Sequence, residues 1–223
     1  FNWPQELFLA QQPVIIIKNN PKGQKSTFIL PDSTVVVLNA ESTLSYPEHF
    51  QGTARKVELT GEAYFDVYKN AQKPFIVKLG SIHTKALGTS FNIKAFESEE
   101  TISVSLSSGK VVVKNEDLET HNKVLLVPGE KYVYNTQNKK NSKTNFDVRD
   151  DLAWKDGILY FKQSDLDEFI STIERWYAVD VTVVGTPGGA WKINGRFNKE
   201  NLHNVLESLS FARQIRYTLE GKS

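Results

Sequence analysis

Residues that could do chemistry are few in this sequence, and they lie far apart. The four histidines are His49, His83, His121 and His203. No two of them have the spacing of zinc ligands, and a metal site requires three or four ligands that converge. The chain has no cysteine, which excludes a disulfide, a thiolate metal site and a cysteine nucleophile. We therefore expect no metal and no cofactor.

Catalytic motifs give an equally negative result. The sequence has no G-x-S-x-G elbow, no P-loop and no dinucleotide-binding glycine fingerprint. Residues 185–189 (GTPGG) join two predicted strands, so we interpret them as a hairpin loop and not as a phosphate-binding loop. Adjacent carboxylates point apart in a strand or turn, whereas glycoside hydrolysis requires two that converge. We predict no enzyme, and solvated turns for the three adjacent pairs Asp150/Asp151, Glu99/Glu100 and Glu116/Asp117.

Aromatic side chains leave one alternative function open. Two rings on one exposed surface can stack against a sugar, and the chain has four tryptophans, Trp3, Trp154, Trp176 and Trp191. We predict that Trp176 belongs to a core, because it lies on the apolar face of a predicted helix. Trp154 and Trp191 lie near the ends of predicted elements. A carbohydrate-binding, lectin-like exported module is therefore the alternative, and a hydrolase is a third class that would need a converging polar cleft.

The element that organises the sequence is a predicted strand at residues 56–67 (KVELTGEAYFDV). Its apolar and polar residues alternate, which is typical of a strand with one face on a core. Gly61 lies on the apolar parity and predicts a bend or bulge. Glu62 and Asp66 should face away from the core. We expect them to pair across the sheet with Lys or Arg, Arg55 being nearest in sequence, and a contact surface for another domain is the other possibility.

Further short strands fill the first 150 residues at intervals of roughly ten residues. We predict them at residues 14–18, 26–30, 34–38, 44–46, 75–79, 81–87, 91–96, 101–106, 110–114, 124–127 and 131–135. Residues 1–13 should be a tether or a docked segment. Residues 136–145 (TQNKKNSKTN) have no apolar member and should form a solvated loop or the approach to a linker. This pattern predicts an all-β sandwich, roll or barrel, with a parallel solenoid less favoured.

The period changes after residue 150, which predicts a second domain at residues 151–223. Strands are expected at residues 157–161, 179–184, 191–197 and 214–219. One predicted helix is capped by Ser164, with Asp167 completing a capping box, and a second is capped by Asn198. The order is β-α-β-β-α-β, in which two helices cover a small sheet. The fold class is therefore mainly β plus α+β.

Length and charge set the remaining limits. A chain of 223 residues with a net charge of +1 has no basic surplus for nucleic acid and no charged tail for a membrane surface. No apolar run is longer than that of residues 14–17, which is far below the ~20 residues that span a bilayer. Because the sequence has no methionine, we expect it to be a processed or excised piece.

Five blocks of this sequence carry a resemblance to a known family. They are residues 30–47 (LPDSTVVVLNAESTLSYP), 61–67 (GEAYFDV), 87–96 (LGTSFNIKAF), 154–157 (WKDG) and 174–177 (ERWY). The chain resembles the FecR-type periplasmic regulators of sigma factors, most closely those of Bacteroidetes. Its last third is similar in plan to the short signalling domains of secretins and TonB-dependent transducers. The family pattern usually has Gly after Asp32, so Ser33 predicts a turn without a positive φ.

The resemblance implies signal transduction without catalysis. The chain would be the periplasmic part of a single-pass inner-membrane anti-sigma factor, which binds the sigma factor through a cytoplasmic segment outside this sequence. Its partner would be the N-terminal signalling domain of a TonB-dependent outer-membrane transducer. Contact would use β-augmentation at a free sheet edge or an aromatic patch, for which we select Trp191, Arg196 and Phe197.

Overall fold

A curled β sheet forms most of the computed structural model, which describes residues 13–118, 123–185 and 191–221. Its strands alternate buried apolar and exposed polar residues, as the sequence pattern predicts. The strands are β1 (Ile15–Asn20), β2 (Ser26–Ile29), β3 (Val35–Leu38), β4 (Ser42–Pro47), β5 (Arg55–Asp66), β6 (Phe75–Leu79), β7 (Ile82–Ala86), β8 (Ser90–Ala95), β9 (Thr101–Ser108), β10 (Val111–Asn115), β11 (Lys123–Leu126), β12 (Glu130–Asn135) and β13 (Lys140–Asn145).

Strand β5 belongs to both halves of this sheet. Its beginning pairs with β4 and, in parallel, with β6, and its end pairs with β3 and β8. The first half therefore runs β1-β4-β5-β6-β7-β10-β11, and the second half runs β2-β3-β5-β8-β9-β12-β13. Gly61 lies at the change, with φ +92, where an added Cβ would come 2.3 Å from Ser42 Oγ. The predicted bend is confirmed, and only glycine fits it.

The two halves close over one hydrophobic core. The rings of Phe65, Phe75 and Phe91 lie at its centre, with centroids 5.8 Å (Phe65–Phe75) and 5.3 Å (Phe65–Phe91) apart. Arg55 enters this core with 2% of its side chain exposed and pairs with Asp32 at 2.6 Å. Arg55 is thus paired with a turn residue and not with Glu62 or Asp66.

The turn that presents Asp32 corrects one prediction. Asp32 accepts hydrogen bonds from the backbone N–H and the hydroxyl of Thr34. Ser33 has φ 70, so the prediction of a turn without a positive φ is wrong. The serine adopts the left-handed conformation that a glycine would favour, because the Asp32 contacts with Thr34 and Arg55 fix the turn around it.

The predicted loop at residues 136–145 is also corrected. Residues Lys140–Asn145 form β13, which pairs antiparallel with β12 from Glu130↔Asn145 to Asn135↔Lys140. All six residues are exposed. An edge strand with solvent on both faces has no apolar alternation, so its sequence does not reveal it.

A second unit follows the sheet. It consists of helix α1 (Val148–Asp151), a 3-10 turn (Ala153–Asp156), β14 (Ile158–Ser164), α2 (Leu166–Tyr177), β15 (Ile193–Asn198) and α3 (Leu202–Arg213). Strands β14 and β15 pair antiparallel. Both long helices pack onto this pair and close a separate core, whose buried members are Leu159, Phe161, Phe169, Ile173, Ile193, Val205 and Leu209. The α+β character of this region and the mainly β fold class are confirmed.

Details of the second unit differ from the predicted order. The N-cap of α2 is Asp165 and not Ser164, and that of α3 is Asn201 and not Asn198. Residues 179–184 and 214–219 contain no strand. The predicted hairpin loop lies outside the described residues except for Gly185. None of the helices that the structure describes is long and apolar enough to cross a membrane.

Candidate functional site

The two units meet on the outer face of the sheet's second half, and we name this contact the junction. Strands β5 and β8 place Glu62 and Asn92 on that face, opposite the hydrophobic core, and Asn39 joins them directly after the end of β3. All three are buried, and Glu62 is 7% exposed. The prediction that Glu62 faces away from the core holds, but the face is covered by the second unit and not by water. Asp66 on the same parity is exposed and accepts a hydrogen bond from Ser90.

The Glu62 carboxyl is held by two amides whose orientation is fixed. Asn39 Nδ2 donates to Glu62 Oε2 at 2.8 Å, and Asn92 Nδ2 donates to Oε1 at 2.9 Å. The oxygen of Asn39 accepts from the backbone of Ala40, and that of Asn92 accepts from Trp154 Nε1 at 3.3 Å. Burial raises the pKa of Glu62, and the charge of Lys94 and the two amides oppose this shift.

Trp154 brings the 3-10 turn onto the sheet. Trp154 is 8% exposed, so this tryptophan is not available at the surface. Lys25, from the turn between β1 and β2, donates to the Trp154 carbonyl at 3.0 Å and lies 3.1 Å from the centroid of Trp176. Burial lowers the pKa of Lys25 to about 8, and the charge of Glu62 opposes this shift.

Arg175 is the largest charged group in the junction. It projects from α2 with 6% of its side chain exposed and pairs with Glu41 at 3.1 Å and with Glu99 at 3.2 Å. Its guanidinium carbon lies 3.4 Å from the ring centroid of Phe96, the geometry of a cation–π contact. Among the described residues, Arg175 Nη2 has no hydrogen-bond partner. A basic group of the second unit is therefore buried against acidic and aromatic groups of the sheet.

The turn between β1 and β2 contributes backbone to the junction. Gly23 N donates to the carbonyl of Arg175 at 2.8 Å. Gly23 has φ +78, and an added Cβ would lie 3.0 Å from Ala178 Cβ, so the turn approaches the end of α2 as closely as glycine allows. Lys22 extends the contact to Glu174 and Asp180, each at 3.6 Å.

A polar cleft of about 460 Å³ lies between the two units and is lined in part by residues of the junction. Asp151 lines it and accepts from Ser105 and Lys131, both at 2.7 Å. Asp150 lies 3.6 Å from Lys162 and 3.7 Å from Arg196. The prediction of solvated turns is therefore wrong for Asp151, because it lies in helix α1 and is partly buried against strands β9 and β12 of the sheet. It is also wrong for Glu99, since its side chain is 15% exposed and pairs with Lys94 and Arg175.

The structure separates the three residues selected as a partner-binding patch. Trp191 and Phe197 are partly buried against the core of the second unit, and Phe197 meets the Phe161 ring edge-on, with centroids 6.4 Å apart. Arg196 projects from the opposite face of β15, with 46% of its side chain exposed, toward Asp150 and the ring of Tyr160. Their role in partner binding stays a prediction.

No histidine of the described residues takes part in the hydrogen bonds and ion pairs of the junction. His83 lies 3.7 Å from Glu116, and His203 shares a hydrogen bond with Tyr217 at 2.9 Å. His121 lies outside the described residues. Within the described ranges, no group of three or more His, Cys, Asp or Glu residues could hold a metal ion.

The blocks that carry the family resemblance converge on the junction. Residues 30–47 supply Asn39 and Glu41, residues 61–67 supply Glu62, residues 87–96 supply Asn92, Lys94 and Phe96, residues 154–157 supply Trp154, and residues 174–177 supply Arg175 and Trp176. Sequence analysis missed this site because each block was interpreted by itself. The available signal was a set of polar residues on the outward parity: Glu62 and Asn92 in two predicted strands, and Asn39 directly after a third.

Fold and junction together define a mainly β protein that carries a small α+β unit on a curled sheet. Two family models match the chain, FecR protein at residues 19–112 and FecR, C-terminal, at residues 158–223. The chain belongs to the FecR family, whose members are regulatory proteins. A role in sigma-factor regulation follows from this membership and from the structural similarities below.

Solved structures with the same fold come from Parabacteroides distasonis ATCC 8503. A 1.65 Å crystal structure of a candidate anti-sigma factor is 33% identical, covers 92% of this chain and 95% of its own, and gives a TM-score of 0.84. A 2.50 Å crystal structure, also of a candidate anti-sigma factor from that organism, is 34% identical. It covers 93% of this chain and 95% of its own, and gives a TM-score of 0.82. Comparison with curated proteins finds no match.

Proposed function

We propose that this chain is the periplasmic portion of a single-pass inner-membrane sigma regulator. It receives its signal from the N-terminal signalling domain of a TonB-dependent outer-membrane transducer through protein contact. The sigma factor is bound by a cytoplasmic segment outside this sequence. The domain boundary lies near residue 150, between the end of β13 and the 3-10 turn that carries Trp154.

The observation that carries the proposal is the way in which the second unit is attached. Each unit has its own hydrophobic core, and polar and charged side chains provide much of the contact between them. Arg175 is balanced by Glu41 and Glu99, so the attachment can be changed at a smaller cost than the exposure of a core. A protein that passes on a signal needs such a contact, because a bound partner must be able to shift one unit relative to the other.

The surface around β15 is our candidate for the partner contact. Arg196 is half exposed beside Tyr160, and Trp191 and Phe197 are only partly buried. Aromatic residues and arginine are enriched where protein partners bury surface. The carbohydrate alternative receives no such support from Trp154, which is buried, or from Trp176, which Lys25 covers.

Isothermal titration with the signalling domain of the transducer encoded beside this protein tests the proposal. We expect saturable binding to that domain and none to a non-cognate signalling domain or to a panel of glycans. Arg196→Ala should weaken binding. Lys162→Ala is the matched control, because Lys162 also lies near Asp150 and is 68% exposed. Binding to a glycan without binding to the domain would replace this proposal with the carbohydrate-binding function.

A further inference from the structure

Strand β1 forms a free edge of the sheet. It pairs with β4 from Ile15↔Pro47 to Asn20↔Ser42, and no described strand lies on its other side. Ile15 and Ile17 are 52% and 64% exposed on its outer face. An apolar edge strand is a template for another strand unless charges, proline or a covering element protect it.

The register shows which backbone groups of β1 are free. Glu48 N donates to the carbonyl of Val14, so Val14 and every second residue after it point their backbone groups toward β4. Pro47 lies opposite Ile15. Because proline has no N–H to donate to Ile15, its position agrees with this alternation of the backbone groups. The N–H and C=O groups of Ile15, Ile17 and Asn19 therefore point away from the sheet.

A second free edge of the sheet, β13, is protected. It is as long as β1, but its sequence KNSKTN has two lysines and no apolar residue, and all its residues are exposed. Lysine on an edge strand discourages the addition of another strand. Strand β1 (IIIKNN) has three isoleucines and one lysine, so its sequence protects this edge less than the sequence of β13 protects the other.

Edge β1 is also continuous with the junction. Its last residue, Asn20, is buried and donates to the carbonyls of Leu38 and Asn39. The turn that follows contacts Arg175 through Gly23 and Trp176 through Lys25. A strand added to β1 would therefore lie directly beside the elements that hold the second unit.

We propose that the outer edge of β1 binds an extended strand of the partner protein by β-augmentation. The added strand pairs with the backbone of Ile15, Ile17 and Asn19 and places apolar side chains, at alternate positions, against Ile15 and Ile17. The identity of the partner, the transducer's signalling domain, rests on the proposed function. The edge itself rests on the register, exposure and composition of β1.

Proline substitution tests the edge, because it removes one outward N–H without touching the β4 ladder. Ile17→Pro should weaken binding of the signalling domain about tenfold or more. Lys143→Pro on edge strand β13 is the matched control. Phe146 N donates to Gly129 O, so the backbone groups of every second residue from Phe146 point toward β12, and the N–H of Lys143 points outward. Ile17→Lys keeps the N–H but adds a charge to the edge, and it replaces Ile17→Pro if that variant does not fold.

Amide hydrogen exchange provides a readout within one strand. On binding, Ile15, Ile17 and Asn19 should become protected, whereas Ile16, Lys18 and Asn20 should already be protected in the free chain. Unchanged affinity of Ile17→Pro would overturn the β1 inference and leave the proposed function standing. Absence of any binding by the unaltered chain would overturn both. Protection of all six amides before the partner is added would show that a second copy or residues 1–12 occupy the edge, and would overturn the inference.

Discussion

Two buried arginines of this protein use the same chemistry in different places. Arg55 lies in the sheet and Arg175 in the junction, with 2% and 6% of their side chains exposed. Each pairs with a carboxylate and lies over a phenylalanine ring, Phe75 for Arg55 and Phe96 for Arg175. In the described part of the chain, each also has an Nη2 atom without a hydrogen-bond partner.

The origin of their partners is the difference. Arg55 also donates to the carbonyls of Lys73 and Tyr68, so the partners described for it all belong to its own unit. Every carboxylate and ring around Arg175 comes from the other unit, and Glu41 is 44% exposed. The same ion pair thus fixes a turn inside one core and joins two cores elsewhere. A charged contact is reversible where it lies between units, because breaking it exposes groups that water can solvate.

The largest effect should come from Arg55→Met. Removal of the guanidinium leaves Asp32 charged, mostly buried and without its main partner, so the free energy of unfolding should fall by about 3–5 kcal/mol. Urea unfolding followed by circular dichroism measures this change. Adding Asp32→Asn to Arg55→Met should recover part of the loss, and a loss below about 1 kcal/mol for the single variant would contradict the comparison.

Arg175→Met should have a smaller effect of a different kind. The free energy of unfolding should fall by about 2–3 kcal/mol, since Glu41 can be solvated when its partner is lost. Both cores should stay folded. Two of the four tryptophans, Trp154 and Trp176, lie in the junction. Their part of the tryptophan fluorescence should change at a lower urea concentration than circular dichroism, which reports on the sheet.

The matched control for Arg175 is Arg196→Met in the same unit. Arg196 is half exposed, so its loss should change stability by about 0–1 kcal/mol and leave the two transitions coincident. Coincident transitions in Arg175→Met would show that Arg175 does not join the units and would remove the distinction between the two arginines.

Glu62→Gln tests the hydrogen bonds that the two asparagine amides of the junction donate to Glu62. A glutamine amide would turn its NH2 toward the NH2 of Asn39 or Asn92, which should cost about 1–3 kcal/mol. Burial raises the pKa of Glu62 above the ordinary value of 4.5. The stability that its protonated form contributes is therefore complete below that value and lost as the pH rises through the raised pKa.

The pH dependence of the stability cost of this variant follows from the direction of the Glu62 pKa shift. The cost of Glu62→Gln should be greatest below the ordinary value of 4.5 and should decrease at higher pH. Urea unfolding of both proteins at about pH 4 and about pH 8 measures the difference. A cost that grows with pH would show that Lys94 and the two amides outweigh burial.

Ser33→Gly should have the smallest effect, and it is stabilising. Ser33 has φ 70 beside the partner of Arg55, and glycine adopts this conformation without strain. The melting temperature should rise with a gain of about 0.5–1 kcal/mol. The equivalent change in the second unit is Ala178→Gly, since Ala178 has φ 55 at the end of α2, and a gain at only one site would show which of the two conformations is strained.

The alternation of apolar and polar residues predicted the strands that have one face on the core and the other face away from it. Alternation located β5 through β9, because one face of each lies on the core. It missed β13, whose faces are both in solvent, and it predicted a strand at residues 179–184, where the valines Val181, Val183 and Val184 are exposed and unpaired by any described strand. A strand needs a neighbour, and β-branched composition alone does not supply one.

The junction could not be derived in the same way. The parity of Glu62 was predicted, but what covers it comes from Trp154, about ninety residues later, and from the α2 region beyond. Contacts at such separation leave no local period in the sequence. The predicted N-cap of α2 was wrong for a local reason. Ser164 and Asp165 are both good N-cap residues, and only the backbone shows that Asp165 accepts from Glu168 N.

The shared strand β5 limits the order in which the parts of this protein can fold. Its partners β3 and β4 precede it and β6 and β8 follow it, so no single hairpin completes either half of the sheet. Pairings between distant segments fold on the scale of milliseconds to seconds, in contrast to local helices. We therefore expect the sheet to form late and in one kinetic step, with the second unit docking only after β5 has both sets of neighbours.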